Sequence, residues 1–277
     1  MKFIGYDFEV FAHDWLVVFK DYDTKEKFRF HNNPVELRNF IQEEPVYYGF
    51  NTKHYDRFIM SAVCSGAEPE EVKLLNDYII AGNQGWDYPE MRNWRFYYNN
   101  MDVMDDMQVG QSLKSIEGHL GMDIEETEVD FNLDRPLTDE EIERTFHYCG
   151  CDVDATEKIL DLRMPYIKNK IYIGKLAGLT PEKAVGMTNA KLTAALLKAE
   201  KKEHNDERKY VYPEKLKKEY IPQEVFDFFD RMKDPNIPDD EVFKGTLNIM
   251  VGDCPVTLGF GGIHGARPNY VWEEQKE

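Results

Sequence analysis

Positive charge is what this sequence most lacks: 34 Lys and Arg stand against 52 Asp and Glu, a net charge of −18 at neutral pH. A chain this acidic does not capture nucleic acid or an anionic membrane by bulk electrostatics, so any nucleic-acid contact must be local. Long apolar runs are lacking too, and with them any segment able to span a bilayer. The opening residues MKFIGYDFEV show no apolar signal core and no cleavage site, so a soluble, cytoplasmic chain is expected. Cysteine is scarce. Cys64, Cys149, Cys151 and Cys254 are too few and too irregularly spaced for a disulfide framework or a zinc module, which fits reduced thiols. Cys149 and Cys151 lie two apart in a helical stretch, pointing to different sides, and are expected to be small packed residues. There is no internal repeat and no phosphate-cradling G-x-x-x-x-G-K-[ST] loop.

What is present suffices for a large core: 277 residues, 42% hydrophobic and 13% aromatic, a length typical of about two domains. Three β-rich stretches open the chain, Lys2 to Val10, Asp14 to Tyr22 and Glu26 to His31, with short polar connections that predict an antiparallel meander. A helix from Pro34, an apolar strand from Val46 to Phe50 and a helix from Tyr55 to Val63 follow, giving the order β-β-β-α-β-α. Residues 69 to 95 read as a helical excursion with an aromatic loop, Trp94 to Tyr98 as another strand, and Ser112 to Leu120 as a helix stopped by Gly121. Thr138 with Glu141 three residues on is a capping box, and the apolar or small positions Ile142, Phe146, Cys149, Val153, Thr156 and Ile159 extend it into one long helix. Beyond about residue 170 the sequence is helical and rich in Lys and Glu; from Gly245 to Tyr270 it turns β-like and glycine-rich.

Acidic residues occur in three suggestive contexts. Asp7 and Glu9, two apart on a strand, share one face while Ile4, Tyr6, Phe8 and Val10 share the other. Adjacent anions repel, and a divalent cation with hard oxygen ligands makes such a pair tolerable; a solvated face is the ordinary alternative. Asp56 falls in the first turn of a helix, where complementing the helix dipole would also explain it. Tyr148 and Asp152 are four apart on the long helix, roughly 40° off full registry, and so share a face.

In order, Asp-x-Glu on an opening strand, Asn51-x-x-x-Tyr55-Asp56 after a central strand and Tyr148-x-x-x-Asp152 on a late helix resemble the three exonuclease motifs of the DEDD superfamily, tyrosine branch. The resemblance implies a ribonuclease-H-like α/β fold, a mixed sheet flanked by helices. It also implies that Asp7, Glu9, Asp56 and Asp152 hold two divalent metal ions, Mg²⁺ or Mn²⁺. The implied chemistry is hydrolysis releasing nucleotides from a 3′ end, with metals roughly 3.5 to 4 Å apart. Asp7 would bridge them, Glu9 and Asp152 would serve the water-activating metal and Asp56 the leaving-group metal. Tyr148, a poor base at neutral pH with an ordinary pKa near ~10, would orient the nucleophile.

Ser112-Leu113-Lys114-Ser115-Ile116 fits the (S/T)-L-x-x-hydrophobic motif lining the single strand in editing domains of family B DNA polymerases, notably the protein-primed phage type. Residues Asp130 to Pro136 are also similar to that family. Those enzymes place a catalytic lysine about here; no Lys occurs from Glu117 to Asp152, and Arg135 is the candidate to supply its charge. Leu258 to Pro268 resembles the Gly-Gly loop that joins the exonuclease to the polymerase module, and the palm motif D-x-x-S-x-Y-P does not follow before Glu277. The expected organisation is therefore a proofreading 3′-to-5′ exonuclease domain over residues 1–170, a helical extension over 171–245 and a β-rich linker over 246–277 leading toward a polymerase module of the same natural chain. The setting would be DNA replication in a bacterial or phage-infected cell. The expected partner is a single-stranded DNA 3′ end, contacted by Phe50, Asn51, Tyr55, Ser112 and Leu113, with Trp86 or Tyr88 as further stacking candidates. A freestanding ribonuclease of the same superfamily, or a non-catalytic binding module on the same fold, are the alternatives.

Overall fold

The computed structural model describes residues 1–105, 107, 111–200, 208, 211–259 and 262–266. Two compact units divide the chain, Met1–Glu200 and Lys201–Glu277. The first is a mixed α/β layer structure. Strands β1 (Phe3–Val10), β2 (Trp15–Asp21) and β3 (Lys27–His31) form the antiparallel meander. Helix α1 (Pro34–Phe40) leads to β4 (Val46–Gly49), which pairs parallel to β1. Helices α2 (Asp56–Cys64) and α3 (Pro69–Ile80) then lead to β5 (Asn99–Asp102), parallel to β4. The sheet order is β3-β2-β1-β4-β5.

Alternation along the strands gives each face of the sheet a buried apolar side. Ile4, Tyr6, Phe8 and Val10 of β1, with Trp15, Val17 and Phe19 of β2, pack on Leu37 of α1, Ile59 of α2 and Leu75 of α3. On the other face, Leu16 and Val18 meet Phe146, Cys149 and Val153 of α5 (Asp139–Leu176), which follows α4 (Leu113–Leu120). Both faces of β2 are covered, so its whole length is buried, as its continuous apolar run requires.

Helix α5 runs for 38 residues from the capping box at Thr138, whose N–H donates to Glu141 at 2.8 Å while its hydroxyl accepts from the Glu141 N–H at 3.3 Å. It passes unbroken through residue 170, the expected domain limit. Helices α6 (Pro181–Gly186) and α7 (Asn189–Leu196) complete the unit, the Lys170 ammonium donating at 3.2 Å to the carbonyl of Val185 in α6. No helix among the described residues is long and apolar enough to cross a membrane.

The expected strand over Trp94 to Tyr98 is a correction: that segment is irregular, and β5 begins one residue later. Trp94, Phe96 and Tyr98 do pack alternately on the first core, which mimics a strand pattern, but their backbone joins no ladder.

In the second unit, α8 (Gln223–Asp230) and α9 (Asp239–Lys244) enclose a small core of Phe228, Met232 and Val242. Strands β6 (Thr246–Val251), β7 (Cys254–Gly259) and β8 (Gly262–Gly265) form an antiparallel sheet in that order. Of the expected Gly-Gly loop, residues 260–261 and 267–268 lie outside the described residues.

Candidate active site

Register places the site. β4 pairs with β1 only from Phe3 to Gly5, so the second half of β1 overhangs the carboxyl end of its parallel neighbour. Crevices at such strand ends are where open α/β sheets bind ligands. Two backbone devices then carry the chain across the gap. Gly49 passes so close to β1 that a Cβ there would lie 2.7 Å from the Tyr6 carbonyl oxygen, which excludes any side chain. Asn51 adopts a left-handed conformation (φ 61°), one that asparagine tolerates better than most residues.

The following helix starts at Asp56, whose carboxylate accepts the Phe8 N–H of the overhanging strand at 3.2 Å. Asp56 is thereby fixed beside Asp7. From the other side, α5 presents Tyr148 and Asp152, four residues apart on one helix, and buries Cys149 beneath Asp7, the thiol donating to its backbone carbonyl at 3.2 Å.

The structure brings together most of the residues singled out from sequence. Asp7, Phe50, Asn51, Tyr55, Asp56, Ser112, Leu113 and Asp152 line one cavity of about 350 Å³. Glu9 is buried behind it, and the donor atoms of Asp7, Glu9 and Cys149 lie within 4.8 Å of one another. Ser112 also caps α4, its hydroxyl accepting the Ser115 N–H at 3.1 Å. Trp86 and Tyr88 do not line this cavity. Trp86 is exposed and leans on Phe58, and Tyr88 stacks on Trp94 at 5.8 Å.

Electrostatically the carboxylates crowd one another. Burial pushes Asp7 well above the usual carboxylate range, and the charges of Asp56, Glu9 and Asp152 push it further. Glu9 is raised by burial and by Asp152 and Asp56, with Lys114 opposing. Burial pushes Asp56 up to about 7 despite the Phe8 N–H. Asp152 is raised by burial although Lys114 hydrogen-bonds it and the Tyr148 phenol also opposes the shift. Burial and the Asp152 charge raise the Tyr148 phenol well above its ordinary range, so it stays protonated. A buried set of mutually repelling oxygen donors with little cationic compensation fits hard divalent cations.

Two residues that shape the site escaped the sequence reading. Lys114 reaches Asp152 at 2.5 Å and Glu117 at 3.4 Å, and its ammonium lies 5.0 Å from the centre of the Tyr148 ring. It occupies the place for which Arg135 was the candidate; Arg135 instead grips Glu141 with two 2.8 Å hydrogen bonds at the start of α5, a correction. The signal was present, because Lys114 is the third residue of the Ser112-Leu113 motif, just upstream of the window without lysine. Asp102, buried at the end of β5, accepts the N–H groups of Asn51, Lys53 and Met104, each at 2.9 Å, and so fixes the loop that carries Asn51. Nothing local in its sequence marks it. Compared with known proteins, the chain matches no family model and no curated protein.

Proposed function

We propose that this chain is a 3′-to-5′ exonuclease that hydrolyses phosphodiester bonds at single-stranded DNA 3′ ends, and that it is the proofreading part of a family B, phage-type DNA polymerase. The observation that carries this reading is the convergence of Asp7, Glu9, Asp56 and Asp152, drawn from three distant segments, with the Tyr148 phenol near enough to feel the charges of Asp152, Glu9 and Asp7. The strand order, an antiparallel meander continued by two parallel strands, supports a ribonuclease-H-like fold. The Ser112-Leu113 wall supports the polymerase-editing branch.

Asp7, Glu9, Asp56 and Asp152 would hold two divalent cations, Mg²⁺ or Mn²⁺. When bound, they supply the Lewis-acid charge that activates water and stabilises the leaving 3′ oxygen. Tyr148 keeps its proton beside Asp152 and orients the attacking water. Lys114 holds the Asp152 carboxylate in place and offsets part of the local negative charge. Phe50, Asn51, Tyr55 and Leu113 form walls against which terminal, unpaired nucleotides lie.

The test is digestion of a 5′-labelled single-stranded DNA oligonucleotide with Mg²⁺ or Mn²⁺. A ladder shortening from the 3′ end is expected, lost in EDTA and in Asp7→Ala. Undiminished cleavage under either condition refutes the metal-dependent reading. Faster digestion of the RNA of the same sequence favours a freestanding ribonuclease.

A further inference from the structure

One turn of α5 carries two sets of groups, one residue out of step. Asp152 lines the carboxylate cavity, with the Tyr148 phenol close enough for its charge to act on it, whereas His147 and Cys151 meet the segment between α4 and α5. There Glu125 meets both: its Oε2 lies 3.1 Å from His147 Nε2 and 3.4 Å from Cys151 Sγ, and the three donor atoms lie within 4.8 Å of one another. We propose that Glu125, His147 and Cys151 form a binding site for one thiophilic divalent cation of the zinc class, outside the carboxylate cavity.

Three features carry the proposal. Residues four apart on a helix lie about 40° apart around its axis, so His147 and Cys151 form a ready chelating pair. Tetrahedral zinc with imidazole, thiolate and carboxylate donors needs ligand-to-ligand separations of roughly 3.3 to 3.6 Å, and both separations to Glu125 are already near that value. The donor set, one nitrogen, one sulfur and one oxygen, selects zinc-class ions over Mg²⁺, and three protein ligands leave a fourth position for water.

The surroundings add a separate attraction. The site borders a groove of about 600 Å³ lined by Glu126, Glu128, Glu140 and Glu143, and its single lining arginine, Arg144, is engaged with Glu128 and Glu140. Such a wall concentrates cations. Cys151 is a free thiol, so binding exchanges its proton, released to solvent, for the metal–sulfur bond. The bound ion would tie the irregular segment that carries Glu125 to the helical turn bearing Tyr148 and Asp152.

The test uses the full chain, reduced and stripped by a chelator, titrated with Co²⁺ as a spectroscopic probe and then with Zn²⁺. A sulfur-to-cobalt charge-transfer band reaching its limit at one equivalent and displaced by Zn²⁺ is expected. Cys151→Ser should lose it, His147→Ala should lose or weaken it, and Cys149→Ser should keep it. Zn²⁺ should raise the melting temperature of the wild type and not of Cys151→Ser. Absence of the band in the wild type overturns the proposal. So does a band that survives Cys151→Ser and vanishes in Cys149→Ser, because the sulfur would then belong to the Asp7 and Glu9 cluster.

Discussion

Asp152 and Asp154 stand two residues apart on α5 and are shifted in opposite directions. Burial would raise both. At Asp154 it is outweighed by Lys20 and Lys27, each 2.8 Å away, and the carboxyl is held below its ordinary range. At Asp152 burial prevails over the single Lys114, and the carboxyl stays above that range. Glu157, one turn on, sits with Lys20 at 3.0 Å and Lys25 at 3.2 Å, so the Asp154 group is an ionic layer of three lysines to two acids joining helix to meander. Asp152 belongs to a set in which anions face anions. An acid that holds a fold is given cations by the chain itself. An acid grouped with other acids leaves that compensation to something that binds.

Neutralising a member of the crowded set breaks this contrast most severely. Asp7→Ala should slow DNA hydrolysis by about 10³-fold or more, the upper end for a single group that stabilises transition-state charge. Asp154→Ala should leave the rate near wild type and lower the melting temperature instead. Rates measured on single-stranded DNA beside thermal melts separate the two, and a crippled Asp154→Ala with an active Asp7→Ala would invert the assignment.

Next in size is the phenol. Tyr148→Phe should slow hydrolysis by roughly 10- to 10³-fold, within or just below the usual contribution of a proton-handling group. His147 lies about 140° around a continuous helix from Asp152. With α5 unbroken from Asp139 to Leu176, His147→Ala should be nearly silent in Mg²⁺. Reversed rates, with a pH profile reporting an imidazole, would remove Tyr148 from the site.

The two lysines sharpen the comparison further. Lys114→Ala should cut the rate by about tenfold, the low side of an electrostatic contribution, with little change in melting temperature. Lys20→Ala leaves Glu157 and Asp154 short of a cation at a largely buried position. It should destabilise the fold by about 1 to 3 kcal/mol, a buried-pair loss discounted for the exposure of Asp154, with kcat unchanged. A stability loss at Lys114 without a rate effect would make it one more structural ion pair.

The capping box and the acid pairs were legible because each rests on spacing within one element, and the meander because its three strands follow one another directly in sequence. Asp7 and Glu9 share a face by strand geometry alone, and Tyr148 with Asp152 by helix geometry alone. What was illegible depends on other segments. β5 reads Asn-Asn-Met-Asp, a poor strand by propensity, and exists because β4 offers it a parallel ladder. The Trp94 to Tyr98 run looks like a strand because three alternate aromatic rings reach one core from an irregular backbone that joins no ladder. Asp102 fixes the Asn51 loop through amides about fifty residues earlier, contacts that are set by the fold.

The most gradual expected effect is a pH dependence of stability in the metal-free protein, and its sign runs opposite to that of an ordinary salt-bridged acid. Asp56 is held at about 7 in the folded chain, with Asp7, Glu9, Asp152 and Asp102 as its acidic neighbours and Lys114 as the nearby cation. In the unfolded chain an aspartate titrates near ~3.9. Between those values the folded state keeps a proton that the unfolded state has released. Stability therefore falls as pH rises from about 4 through about 7, by at most about 1.4 kcal/mol per pH unit for each proton retained. Acids held low, such as Asp154 and Asp21, contribute the opposite slope only at lower pH, since they gain stability above their unfolded values and lose it on acidification. Melts in EDTA should thus show a falling melting temperature between about pH 5 and about pH 8. Mg²⁺ or Mn²⁺ should remove most of that fall by binding the ionised, folded site. Asp56→Asn, which keeps an acceptor for the Phe8 N–H, should flatten it without any metal. A melting temperature that rises over this range in EDTA would mean that the carboxylates find cations within the chain, and the distinction between the two acid sets on α5 would fail.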